Sequence, residues 1–210
     1  MSEKKEFQVD WANVIDMDAH APPFDRNPSS WRQRIPICIL ATIATLMAAY
    51  MAMFQWGMIE SVWDPVFGKG SENVLTSRVA TNMHEWLHIP DAAFGAWAYL
   101  TEVILGLVGS TRRWQFRPWM VVLFGIDIIP VGGVSALLVI SQGFIIGSWC
   151  FLCLCTAAIS FILIAYAYDE VWASLMYLKR VWNEYHDAGL VNRVFWGFGS
   201  EKADRLALRR

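Results

Sequence analysis

The chain has 210 residues, 56% of them hydrophobic, with twelve Trp, nine Met, four Cys and a net charge of −2. That near-neutral balance excludes the basic surface that a nucleic-acid binder needs, and four cysteines are too few for a secreted disulfide scaffold. The length suits one domain, but the apolar residues gather in long charge-poor runs, the pattern of a membrane protein.

Residues 1–35 are polar, acidic at first and then punctuated by Pro22, Pro23 and Pro28, and they read as an extended arm carrying Trp11, Phe24 and Trp31. Because this polar stretch precedes the first apolar run, no secretory signal is expected. The first span is expected at residues 36–57, long enough to cross about 30 Å of hydrocarbon, with Cys38 near its start as a packing residue. A connection over residues 58–89 carries Glu60, Asp64, Glu72 and Glu85 against Lys69 and Arg78. Its WDPVFGKGS piece is turn chemistry, and a short helix against the membrane surface is expected within residues 71–88.

The second span is placed at residues 90–109, opened by Pro90 and by Asp91, which suits the positive end of a helix. A short loop with Arg112, Arg113 and Arg117 leads to a third span at 118–141, where Pro130, Gly132 and Gly133 predict a local bend. The fourth span is expected at 148–168. After it, Trp172, Leu175, Leu178, Val181, Trp182 and Tyr185 recur near helical spacing, which predicts an amphipathic helix along the membrane surface or against a partner.

Topology follows from the basic residues. Arg26, Arg32 and Arg34, the arginine loop at 110–117, and Lys179 with Arg180 all fall on one side, while the acidic 58–89 loop falls on the other. Basic loops stay cytoplasmic. Three parts result: a cytoplasmic arm (1–35), a four-helix membrane domain with an outer loop (36–168), and a cytoplasmic helix and tail (169–210).

The fourth span opens on GSWCFLCLC, residues 147–155. Cys150 and Cys153 stand three apart, which on a helix puts their Cα atoms about 5 Å apart on one face, within reach of a disulfide. Ser148 is the expected N-cap, so both thiols would occupy the first turns, where the positive helix end favours thiolate. Cysteine is also a common small filler of buried helices, and the spacing by itself leaves both readings open. The topology, argued without the cysteines, places the pair on the outer, oxidising side and favours redox chemistry.

Two other features invite chemistry. Glu102 and Asp127 are the only carboxylates near the middle of the spans. Such groups are costly there and usually functional; the alternatives are a proton relay, an interior hydrogen bond, or contact with another subunit. His84-Glu85-Trp86-Leu87-His88 matches H-E-x-x-H, a zinc pattern when carried on a helix. Pro90 follows almost at once and no third ligand is evident, so no metal site is expected; His84 and His88, with Asp91, are weak candidates only.

The pieces WCFLC (149–153), the segment 135–138 fifteen residues upstream, and IPDAAFGAWAYL (89–100) together resemble the vitamin K epoxide reductase family, and VWDPVFGKGS looks like its bacterial branch. The resemblance covers about residues 37–168. It implies an all-α, four-transmembrane-helix bundle with both termini cytoplasmic, here followed by the amphipathic helix. It also implies a quinone, ubiquinone or menaquinone, as substrate in a bacterial inner membrane, with the cysteine pair near the periplasmic face. Carried over by position, Cys153 would react with the quinone and Cys150 would exchange with a thioredoxin-like periplasmic dithiol protein. Asp91 would hydrogen-bond a quinone oxygen, and Phe94, Gly95, Ser135 and Leu138 would line the pocket. Two departures stand out. Residues 58–89 hold no cysteine, with Val62 where the first of a shuttle pair is expected, and Ala157 replaces a tyrosine that some members use toward the quinone. The alternative implied is a non-catalytic accessory subunit of a larger membrane complex.

Overall fold

The computed structural model describes residues 26–80 and 89–207. Within them the chain is helical, with no strand. Helix α1 (Trp31–Gln55) is followed by a short α2 (Gly70–Leu75) in the loop and by α3 (Asp91–Leu107). A one-turn α4 (Arg113–Phe116) precedes α5 (Pro118–Ser141), which runs into a π-helical turn at Gln142–Ile146. Then come α6 (Phe151–Tyr185), α7 (Ala188–Phe195) and α8 (Glu201–Ala207).

The long helices form a bundle in which α1 packs on α3 and α6, and α5 packs on α6. On α1 the buried stripe is Ile37, Ala41, Ala44, Ala48 and Met51, spaced by three and four, and its alanines let neighbouring backbones approach closely. The opposite side of the same helix exposes Ile39, Ile43 and Leu46. Large apolar side chains turned outward on every long helix suit lipid and not water. Three helices, Trp31–Gln55, Pro118–Ile146 and Phe151–Tyr185, are long and apolar enough to cross a membrane. Two hydroxyls of α1 are satisfied locally: Thr42 and Thr45 donate to the carbonyls of Cys38 and Ala41 at 2.7 and 2.8 Å.

Several boundaries differ from the sequence reading. Helix α1 starts at Trp31, five residues early, so Pro36 lies inside it and the end of the arm belongs to the bundle. Helix α5 passes through Pro130 as one continuous helix. The fourth span and the expected amphipathic helix are one helix of 35 residues. No Pro or Gly interrupts residues 169–185, and at 1.5 Å per residue the whole rises about 50 Å, well beyond the hydrocarbon. It stops where His186 takes a left-handed conformation (φ 48°) and Asp187 caps α7, accepting the N–H groups of Gly189 and Leu190. The distal half of α6 gathers α7, α8 and Trp114 into a second core around Tyr177 and Val181.

The end of the bundle opposite the cysteine pair is locked by two buried arginines. Arg34 donates to the carbonyls of Gly106, Val108 and Gly109, where α3 ends and a cation suits the helix dipole. Arg113 grips Glu170 of α6 with two parallel bonds of 2.6 and 2.7 Å, both side chains 1% exposed.

Candidate active site

Cys150 and Cys153 are joined as a disulfide, with Cα atoms 5.2 Å apart. The helix begins two residues later than the Ser148 cap predicts. Cys150 itself is the N-cap in extended conformation, and its Sγ accepts the N–H of Cys153 at 3.1 Å. The reason is the loop before it: Gly147 turns the chain in a left-handed conformation (φ 68°) after the π-helical turn, which leaves Ser148 and Trp149 outside the helix. Buried Gln142 of that turn accepts the N–H of Cys150 at 2.9 Å. Cys150 is wholly buried, whereas Cys153 is half-buried. Cys38 and Cys155 are free thiols.

The outer loop is fastened to this end of α6. Asp64 accepts the N–H groups of Val66, Phe67, Ser71 and Phe151, and the Ser71 hydroxyl at 2.7 Å. Burial pushes the Asp64 carboxyl up, but the bonds from Phe67, Ser71, Val66 and Phe151 outweigh it and hold the group below the usual carboxylate value. Gly70 lies so close beneath the Trp149 carbonyl that a Cβ there would meet its oxygen at 2.2 Å. Val62, at the position where the resemblance implies a loop cysteine, is buried in the core.

A cavity of about 380 Å³ lies inside the bundle next to the disulfide. Its wall brings together Cys153, Asp91, Phe94, Gly95, Ser135 and Leu138 from α6, α3 and α5. Cys150 is not on that wall. Asp127 is, and Glu102 lies fully buried behind it, within electrostatic reach. Neither Glu102 oxygen, nor Asp127 Oδ2, has a hydrogen-bond partner among the described residues. His84, Glu85 and His88 lie outside the described residues, as do Trp11 and Phe24.

The sequence reading missed several residues here. Gln55 of α1 donates to the Asp91 carboxylate and accepts the Ala92 N–H at 3.2 Å, which fixes the first turn of α3. Met51 places its sulfur 3.6 Å from Cys153 Sγ. The Tyr99 hydroxyl meets Ser160 Oγ at 2.7 Å and the Thr156 carbonyl at 3.3 Å, next to Ala157. Only the polar Gln55 and Tyr99, each in an apolar run, carried a signal that could have singled them out.

Residues 35–168 match the family model described as the vitamin K epoxide reductase family. The chain belongs to this family. No curated protein matches it. Membership makes the chain a multi-pass membrane protein of a quinone-linked thiol oxidoreductase family, which agrees with its lipid-facing helices and its disulfide. The cavity fits a quinone by its chemistry: apolar walls for ring and tail, and a few convergent polar groups in Asp91, Tyr99 and Ser135.

Proposed function

We propose that the chain is a quinone-linked thiol/disulfide oxidoreductase that passes electrons from a dithiol partner through Cys150 and Cys153 to a membrane quinone, ubiquinone or menaquinone. The observation that carries this reading is the one cavity wall shared by Cys153, Asp91, Phe94, Gly95, Ser135 and Leu138. In this reading four helices span the inner membrane of a bacterium with both termini cytoplasmic, and the disulfide lies near the periplasmic face.

The chemistry then runs in two halves. A thiolate of a thioredoxin-like periplasmic partner attacks Cys150 Sγ and expels Cys153 as thiolate, and the second partner thiol releases Cys150. In the quinone half, Cys153 attacks the ring from the cavity wall, Asp91 holds the nearer quinone oxygen, and Cys150 closes the S–S bond as the electron pair leaves on the quinol. A helix N-terminus favours the thiolate form of both sulfurs.

Quinone reduction by the purified protein with dithiothreitol as donor tests the reading, beside Cys150→Ala and Cys153→Ala. A small thiol needs no loop cysteines. Activity is expected, with loss in both variants; folded protein with intact thiols and no turnover would overturn the enzyme. A second reading has its own support in the wholly buried Cys150 beneath a loop without cysteine: a non-catalytic accessory subunit of a larger quinone-linked or electron-transfer complex. A stable stoichiometric complex on purification, without turnover, selects it.

A further inference from the structure

Quinone reduction consumes two protons at an apolar site, and this bundle holds two carboxylates, buried Glu102 and half-buried Asp127, that the thiol chemistry does not use. Glu102 of α3 has no exposed surface, and both of its oxygens lack partners among the described residues. Asp127 of α5 lies within its electrostatic reach and lines the cavity, with Oδ2 unpartnered. A fully buried carboxyl with neither oxygen partnered among the described residues is too costly to keep as an anion close to a second carboxylate, so the two hold at least one proton between them.

Beside this pair a row of hydroxyls reaches the cavity wall. Tyr99 stands one helical turn from Glu102. Its hydroxyl meets Ser160 Oγ at 2.7 Å, and Ser160 meets Ser135 Oγ at 3.3 Å. Each hydroxyl both donates and accepts, and Tyr99 and Ser135 reach the cavity wall.

Resting on the quinone reading of this cavity, we propose that Glu102 and Asp127 store a proton and deliver it, through Tyr99, Ser160 and Ser135, to the quinone oxygen remote from Cys153. The balance is complete. The two thiolates give two electrons as the S–S bond forms, and each quinone oxygen gains one proton. The inner oxygen takes its proton from the carboxylate pair, and the outer oxygen, beside Asp91, takes one from water at the disulfide end. Water reaching half-buried Asp127 through the cavity returns a proton to the pair.

The test uses the full chain in nanodiscs, with a short-chain ubiquinone analogue and dithiothreitol, and compares Glu102→Gln, Asp127→Asn and Tyr99→Phe. Infrared spectra of the resting protein in H₂O and D₂O are expected to show a deuterium-sensitive band of a protonated buried carboxyl, lost in Glu102→Gln or Asp127→Asn. Glu102→Gln, which does not line the cavity, is expected to bind the quinone analogue with unchanged Kd, by tryptophan fluorescence, while kcat falls about a hundredfold in all three variants, the scale of general-acid loss. Absence of the carboxyl band, unchanged kcat in both carboxylate variants, or a loss traced wholly to Kd overturns the proposal. An unmutated protein that binds the analogue and never reduces it overturns the quinone-reductase reading itself, and the proposal with it.

Discussion

Asp64 accepts the backbone N–H of Phe151 at 3.4 Å across 87 residues of sequence, so the turn of the outer loop is tied to the first residue of the helix that carries the disulfide. The same carboxylate closes its own turn on Val66, Phe67 and Ser71. A negative charge also suits the positive end of α6. One side chain therefore orders the loop and holds it over buried Cys150.

Asp64→Ala is expected to loosen that cover and to raise the rate at which dithiothreitol reduces the disulfide, measured by thiol trapping over time. An unchanged rate would show that the loop does not limit access to Cys150.

The same residue sets a dependence on acid. Its folded value lies below the ordinary 3.8, because the bonds from Phe67, Ser71, Val66 and Phe151 outweigh the opposing effect of burial. The sign follows: the stabilisation is fully present above 3.8 and is lost as pH falls through the depressed folded value. Melts from neutral pH to about pH 3 should therefore show less acid destabilisation in Asp64→Asn than in the unmutated protein. Equal slopes would remove Asp64 from the account.

Gln142 offers a sharper test of how the pair is held. Its Oε1 accepts the Cys150 N–H at 2.9 Å in a buried setting. Gln142→Leu keeps the volume and leaves that donor bare, at a cost of about 1–3 kcal/mol. A lowered Tm is expected, and an unchanged one would mean that the N–H finds another acceptor.

How much of this was legible in the sequence depends on what each feature needs. Hydropathy marks α1, α5 and α6 because lipid-facing side chains must be apolar whatever they pack against. The end of α6 was misplaced because a change in apolar periodicity at Tyr168 looks like a new helix, yet nothing in residues 169–185 breaks the backbone. Cys153, Asp91 and Ser135 were reached through local motifs, and the structure adds that they share one wall. Met51 and Ser160 were out of reach, since their partners sit 102 and 61 residues away in sequence and only helix packing joins them.

Gly70 is fixed by space and not by backbone conformation. A Cβ there would meet the Trp149 oxygen at 2.2 Å and Phe67 Cβ at 2.9 Å, and a backbone carbonyl cannot swing aside as a side chain does. Gly70→Ala is expected to cost about 1–3 kcal/mol, the scale of overpacking, and to push the loop off the disulfide end. Faster reduction by dithiothreitol together with a lower Tm would fit. A variant that melts with the unmutated protein would show that the loop shifts freely.

The ion pair at the other end of the bundle yields a prediction with an internal control. Arg113 and Glu170 are each 1% exposed, and Ser29 also donates to Glu170. Glu170→Ala leaves a buried guanidinium without its carboxylate and is expected to cost about 3–5 kcal/mol. Replacing both partners by apolar residues, Arg113→Met with Glu170→Leu, strands no charge. Arg34 still donates to the Val108 carbonyl in that double variant. It should therefore melt above the single Glu170→Ala variant, although it lacks one more native side chain. If it melts lower, the guanidinium acts mainly through the carbonyls of Leu105 and Val108 at the end of α3, and the pair with Glu170 is secondary to that cap.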